Sequence, residues 1–301
     1  GLAGATDVTK VGVNASTVNA TYTGIADGVS EFVIGSSGAI NVNFGMAAGA
    51  NAGAEDSATL TLNGVTHTTT NGTNTITLAD GFETVNVASS SANTIDTFNT
   101  GTAATINVSG AGNLTIGAAL DAQVTTLDGS AATGVLSIAA TGTSTSITGG
   151  SGNDIIDATA AAGTHTLVGG AGDDAFVFNA TGTLTAADTV TGGEGTDTIQ
   201  NVSAQLSGIT TALTKVTGVE DIMVTNDHGN AINLTRFGSD VNKLILAEDA
   251  DNSAITLNAG SSTIVLGNGA AGDGGTDALS AALTFSASGA GTDDAVTVQL
   301  G

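Results

Sequence analysis

The chain contains no cysteine, no proline and no tryptophan, a single tyrosine, and four lysines and arginines in all. Without cysteine there is neither a disulfide framework nor a thiolate metal site, a composition that suits a secreted protein stapled by other means. Aromatic residues make up only 3%, too few to fill a thick globular core or to line a sugar-cleaving groove. The four basic residues stand against 28 acidic ones, a formal charge of −24. That excludes nucleic-acid binding through phosphate neutralisation and unaided attraction to an anionic membrane. No signal peptide, membrane-spanning run or polybasic tail can be read, so direct membrane insertion is not expected. The chain opens at Gly1 and stops at Gly301 in the middle of a pattern, which reads as an internal or processed piece of something longer.

Catalytic constellations are missing as well. His67, His165 and His228 are isolated from one another in the sequence, and His165, within Thr164 to Leu167, is expected at a strand surface. There is no H-E-x-x-H zinc helix and no G-x-S-x-G elbow. A pair of acids facing each other across a groove is the one enzyme arrangement left open. One Tyr and one arginine, Arg236, offer it little help in holding a substrate, and the chain is read as no enzyme.

What is present is glycine, 44 residues of it, together with Ala, Thr, Asn and short aliphatics. From Thr59 onward β-branched clusters recur near 61, 68, 77, 86, 96, 107 and on to 199, with a mean step close to 10. A strand of four or five residues and a Gly/Asn/Asp turn fill that step, and no helix-length apolar period intervenes. Two such sides make a coil of about 20 residues; three-sided coils of about 30 are the alternative. The expected fold is all-β, a parallel β-solenoid or β-roll whose thin interior Val, Ile, Leu, Ala and Thr can fill. Residues 1–58 read as an irregular β-rich segment, 59–200 as the regular solenoid, and 201–301 as a second β-rich subdomain. At the seam, Leu206, Ile209, Leu213 and Val216 have helical spacing, which suggests one short helix near 204–217.

The chemistry concentrates between Ile147 and Gln200. Three copies of one turn stand there: Gly149-Gly150-Ser151-Gly152-Asn153-Asp154, Gly169-Gly170-Ala171-Gly172-Asp173-Asp174 and Gly192-Gly193-Glu194-Gly195-Thr196-Asp197. This is the nonapeptide G-G-x-G-x-D-x-U-x. The glycines permit positive φ and a tight bend that bares main-chain carbonyls, and the aspartate adds a charged oxygen. Calcium takes six to eight oxygens, more than one turn holds, so two neighbouring turns must share an ion. The starts are 20 and 23 residues apart, about one coil, which predicts one site between the Asp154 and Asp174 turns and another between the Asp174 and Asp197 turns. The candidate ligands are Gly150, Gly152, Asn153, Asp154 and Asp157, then Gly170, Gly172, Asp173 and Asp174, then Gly193, Gly195 and Asp197. Ile156, Phe176 and Ile199 follow the turns and are expected to point inward. Degraded copies at Gly272–Asp277 and Gly289–Asp294 add Asp273, Asp277, Asp293 and Asp294. The acids Glu248, Asp249 and Asp251 are a weaker cluster, while Asp27, Glu31, Glu55 and Asp56 read as surface charge.

The three turns resemble RTX repeats, which implies calcium as cofactor and export by type I machinery. A second echo joins Gly81-Phe82-Glu83-Thr84-Val85-Asn86-Val87 to Gly218-Val219-Glu220-Asp221-Ile222-Met223-Val224, a turn entering an inward-facing strand with an acid at the coil edge. Set in long Ala/Thr/Gly/Asn-rich β sequence, it resembles the calcium-dependent surface-layer (S-layer) proteins of the Caulobacter type. That resemblance implies a secreted protein at the cell surface of a Gram-negative-type bacterium, self-assembling into a lattice in which its main partner is itself. No anchoring domain or secretion signal of that family can be recognised. Calcium would also lower the mutual repulsion of so many carboxylates, although halophilic solvation is a competing reason for the charge. A repeat segment of a large adhesin, with a surface polysaccharide as partner, and the calcium roll of a hydrolase are the other readings.

Overall fold

The computed structural model describes residues 8–36, 40–53, 55–66, 74–141, 144–160, 163–181, 183–226, 229–247, 254–258, 262–266, 284–287 and 296–300. The fold is the expected all-β parallel solenoid, and it divides into two compact units, Gly1–Ile156 and Asp157–Gly301.

In the first unit one long sheet takes a strand from each successive coil: Lys10–Asn14, Glu31–Gly35, Ser57–Asn63, Thr84–Ser89, Thr105–Gly110, Thr126–Ala132 and Ser146–Thr148. Neighbours are parallel and in register, so Asn86 lies beside Asn107, 21 residues on, and its Oδ1 accepts from Asn107 Nδ2 at 2.8 Å. The period-2 pattern decides which side faces in. In Thr84–Ser89, Val85 and Val87 are buried while Thr84 and Asn86 stay at the surface. The returning halves of the early coils, Ala20–Ile25, Val42–Met46, Thr75–Leu78 and Thr97–Asn99, form a four-stranded sheet; those of later coils, beginning with Asn93–Ile95, Leu114–Ala119 and Leu136–Ala139, form another.

The coil of Thr84–Asn99 belongs to both returning sheets, and there the two-sided plan becomes three-sided. Asp96 sits between the two short strands and makes the bend possible. Its amide donates to Asn74 Oδ1 at 2.7 Å, and its carboxylate accepts from the Asn74 amide at 2.5 Å. The coil between Asp56 and Glu83 is also longer, 27 residues, against 21 between Asn86 and Asn107. The scarce aromatics gather in the early coils: Phe32 packs on Phe44 and Phe82 with ring centroids 4.8 and 5.9 Å apart.

The second unit has a short first sheet, Thr166–Ala171, Thr189–Glu194 and Val216–Thr217. Its longer sheet stacks Ala175–Phe178, Thr198–Asn201, Asp221–Val224, Lys243–Leu246, Ser262–Leu266 and Val296–Leu300, and a third joins Ile232–Asn233, Ala254–Leu257 and Thr284–Ala287. Phe176, Ile199, Ile222, Leu244 and Ile264 are one buried column. Each such side chain contributes about 1.5–3 kcal/mol, and each coil is held by its neighbours on both sides.

One α-helix, Ser203–Gly208, falls where the spacing placed it. It stops earlier than Leu213 and Val216 suggested, because Gly208 and the following threonines are weak helix formers and Ile209 is already extended. Leu213 is buried from irregular chain and Val216 from the short strand Val216–Thr217. Buried Gln205 fixes the helix to the loop before it through Nε2 and the Leu184 carbonyl, 2.6 Å apart. No helix among the described residues is long and apolar enough to cross a membrane.

Candidate metal centre

The glycine turns of the second unit are held by two constraints at once. Gly170 and Gly172 have φ of +119° and +114°, and Gly193 and Gly195 have +128° and +132°, a region that side chains disfavour. The turns also lie directly on one another, Gly170 beside Gly193 and Ala171 beside Glu194. A Cβ at Gly193 would strike the Gly170 carbonyl, and one at Gly195 the Gly172 carbonyl. The carbonyls of one turn therefore reach the backbone of the next.

Inside this stack the aspartates are buried, Asp174 at 2% exposure and Asp197 at 0%. Asp197 Oδ1 accepts the Asp174 amide at 2.8 Å, which ties the two coils. Asp197 Oδ2 has no hydrogen-bond partner. It lies with the Gly218 carbonyl at the place a Gly192 side chain would occupy. One coil earlier, Asp174 Oδ2 and the Gly192 carbonyl converge in the same way on Gly169. Two oxygens facing each other repel unless a proton or a cation stands between them. Burial pushes the Asp197 carboxyl up, the Asp174 amide opposes this, and the nearby Glu220 and Asp173 carboxylates push it up further.

These features fit a cation in kind. Among the described residues no group of three or more His, Asp or Glu side chains could hold a metal. An ion here must therefore draw most of its shell from carbonyls, as a glycine turn allows. Asp197 and the Gly218 carbonyl are the ligands best placed for it.

The turn at residues 149–154 belongs to the first unit and is built differently. Gly150 and Gly152 do not take positive φ. Asp154 is buried, and both its oxygens are engaged: Oδ1 accepts the Leu136 amide at 2.7 Å and Oδ2 the Gly150 amide at 2.6 Å. Burial raises its pKa and those two amides oppose the rise. Both oxygens brace the turn, one within it and one against the neighbouring strand.

That bracing role recurs at the coil edges and was not foreseen residue by residue. Glu220 Oε2 accepts the Asp197 amide at 2.9 Å, and Glu83 Oε2 accepts the Asp56 amide at 2.7 Å. Their own carbonyls each receive two amides from the next coil, Asn242 and Lys243 at Glu220, Ala104 and Thr105 at Glu83. The sequence echo around Glu83 and Glu220 is thus one corner used twice. Asp121 accepts from Thr100, Asp188 from His165 and Asp240 from Gly218 in related ways. A side-chain oxygen here replaces the ladder bond that a bending strand loses.

Of the remaining candidates, Asn153 is exposed. Asp157 Oδ1 accepts the Thr159 amide at 2.8 Å in a local turn, and exposed Asp173 accepts the Thr196 amide at 2.9 Å. Ile156, Phe176 and Ile199 are buried as expected. His165 is also buried, not at a strand surface; alternation with exposed Thr166 and buried Leu167 turns it inward. Asp273, Asp277, Asp293 and Asp294, and the acids at 248, 249 and 251, lie outside the described residues. Comparison with protein-family models, curated proteins and solved structures finds no match.

Proposed function

We propose that this chain is a calcium-binding structural protein that assembles with copies of itself into an extracellular surface lattice. The observation that carries the reading is the buried Asp197 Oδ2, without a partner and set beside the Gly218 carbonyl in a glycine turn. A bound calcium ion supplies two positive charges and a demand for six to eight oxygens. The chain's own residues prepare for it. Gly192 and Gly193 leave room where side chains would stand, Gly218 offers its carbonyl, and the Asp174 amide holds Asp197 in place by its other oxygen. The resemblance of the turns to RTX repeats and the surplus of 24 negative charges point the same way. Ions that offset those charges let copies approach; without them the copies repel.

Electron microscopy of the purified protein in calcium and in EGTA tests this. The expected result is ordered sheets or filaments in calcium that disperse in EGTA. Dispersed single molecules in calcium would defeat the lattice reading and favour a segment of a calcium-stiffened adhesin. A melting temperature unmoved by calcium would defeat the calcium site itself.

A further inference from the structure

The longer sheet of the second unit carries an outward column that breaks the surface pattern of the solenoid. Along most strands the outward positions hold hydroxyl or amide side chains, such as Thr94, Thr115 and Ser137 in register on the first unit. In the second unit Met223, Ile245 and Val265 stand next to one another on three successive strands, with Val177 beyond Gln200 on the same column. All four apolar side chains are partly exposed. The inward column needs none of them, since Phe176, Ile199, Ile222, Leu244 and Ile264 already fill it. Period-2 alternation therefore places aliphatics on both faces of these strands, a pattern expected where both faces are covered.

The charges on this face select the occupant. The neighbouring outward column reads Thr198, Asp221, Lys243 and Thr263, and its two charges neutralise each other, because Lys243 Nζ is ion-paired with Asp221. Among the described residues these two columns thus carry no net charge, on a chain of −24. A basic partner would be drawn to the acidic turns instead, and an anionic membrane would be repelled by the chain as a whole. Two copies of this chain repel each other least where both present a neutral surface. An isologous contact requires a patch that complements itself, as an uncharged aliphatic column does. We infer that the face of Met223, Ile245 and Val265 is where a second copy docks, sheet against sheet. This rests on the proposed self-assembly and names the contact through which it begins.

The test uses outward positions, where substitution leaves the buried column intact. Light scattering in calcium should show association of the native chain and of Thr115→Lys, and its loss in Ile245→Lys. The calcium-induced rise in melting temperature should be the same in all three. Because the chain has no cysteine, Ile245→Cys supplies a second readout, cross-linking between copies on oxidation, with Thr115→Cys remaining uncross-linked. Association of Ile245→Lys equal to that of the native chain would overturn the docking face and leave self-assembly standing. A native chain that stays monomeric in calcium while its melting temperature rises would overturn self-assembly, and this face with it.

Discussion

At Asp197 one residue is asked to do two incompatible things, to be buried and to be ionised. Burial and the neighbouring carboxylates raise its pKa above the ordinary carboxylate value, and burial does the same at Asp154. In the metal-free protein the folded state therefore holds the proton more tightly than the unfolded chain. Stability from these groups is fully present below the ordinary carboxylate pKa and is lost as pH rises through the folded value. Asp128, well exposed and lowered chiefly by its bonds to Ser130, acts in the opposite sense, but with more solvent around it. Thermal melts in EGTA should accordingly rise as pH falls from neutrality toward the carboxylate range, and calcium should flatten or reverse that slope by favouring the ionised form. Asp197→Asn separates the causes, since the amide keeps an acceptor for the Asp174 amide and can donate to the Gly218 carbonyl. It should melt at or above the native chain in EGTA, yet gain less from calcium. A variant that loses stability in EGTA and keeps the full calcium shift would remove Asp197 from the site.

Between coils, the unit of construction is a corner. The stretch Gly-hydrophobic-Glu at Gly81 to Glu83 and at Gly218 to Glu220 turns the chain at a positive-φ glycine, buries Phe82 or Val219, and spends the glutamate on an amide of the preceding coil. If the acceptor is what matters, Glu220→Ala should cost about 1–3 kcal/mol for the amide left unmet. Glu220→Gln should cost far less and should ease the repulsion at Asp197. Equal losses in urea unfolding would show that the charge, not the acceptor, holds the corner. This also explains what the sequence could and could not disclose. The strand rhythm near ten residues, the inward Ile156, Phe176 and Ile199, and the helix start near 203 follow from local pattern and were legible. The identity of each acid was not, because a ligand and a brace use the same residue in the same turn. Asp154 and Asp197 occupy equivalent motif positions, yet one is engaged by two amides and the other by one. Each accepts one amide from the neighbouring coil, Leu136 or Asp174, and the difference is the Gly150 amide of Asp154's own turn, whose glycines lack the positive φ of Gly193 and Gly195; the motif spacing does not record that backbone choice. The reciprocal Asn74–Asp96 bend escaped because its two residues stand 22 apart, on neighbouring coils.

Over the whole molecule, charge and architecture pull against each other. A solenoid sets its coils close together, about 4.8 Å between paired strands, so acids at equivalent corners are brought near one another at each turn, as Asp173, Asp197 and Glu220 are. Lys10 pairs with Glu31 and Lys243 with Asp221, and the −24 is what remains after all four basic residues are counted. Such a chain has two ways to lower its repulsion: a diffuse ion atmosphere, which shortens the range of every interaction, or ions held at particular turns. The two are distinguishable because they substitute for each other. Melting temperature in EGTA should climb with added sodium chloride, since screening relieves repulsion that is greatest in the compact state. In saturating calcium the same salt series should give a markedly smaller climb, the nearest charges being already offset. If sodium chloride stabilises equally with and without calcium, the acids act as a solvated surface, and specific ions at the turns contribute nothing that screening does not.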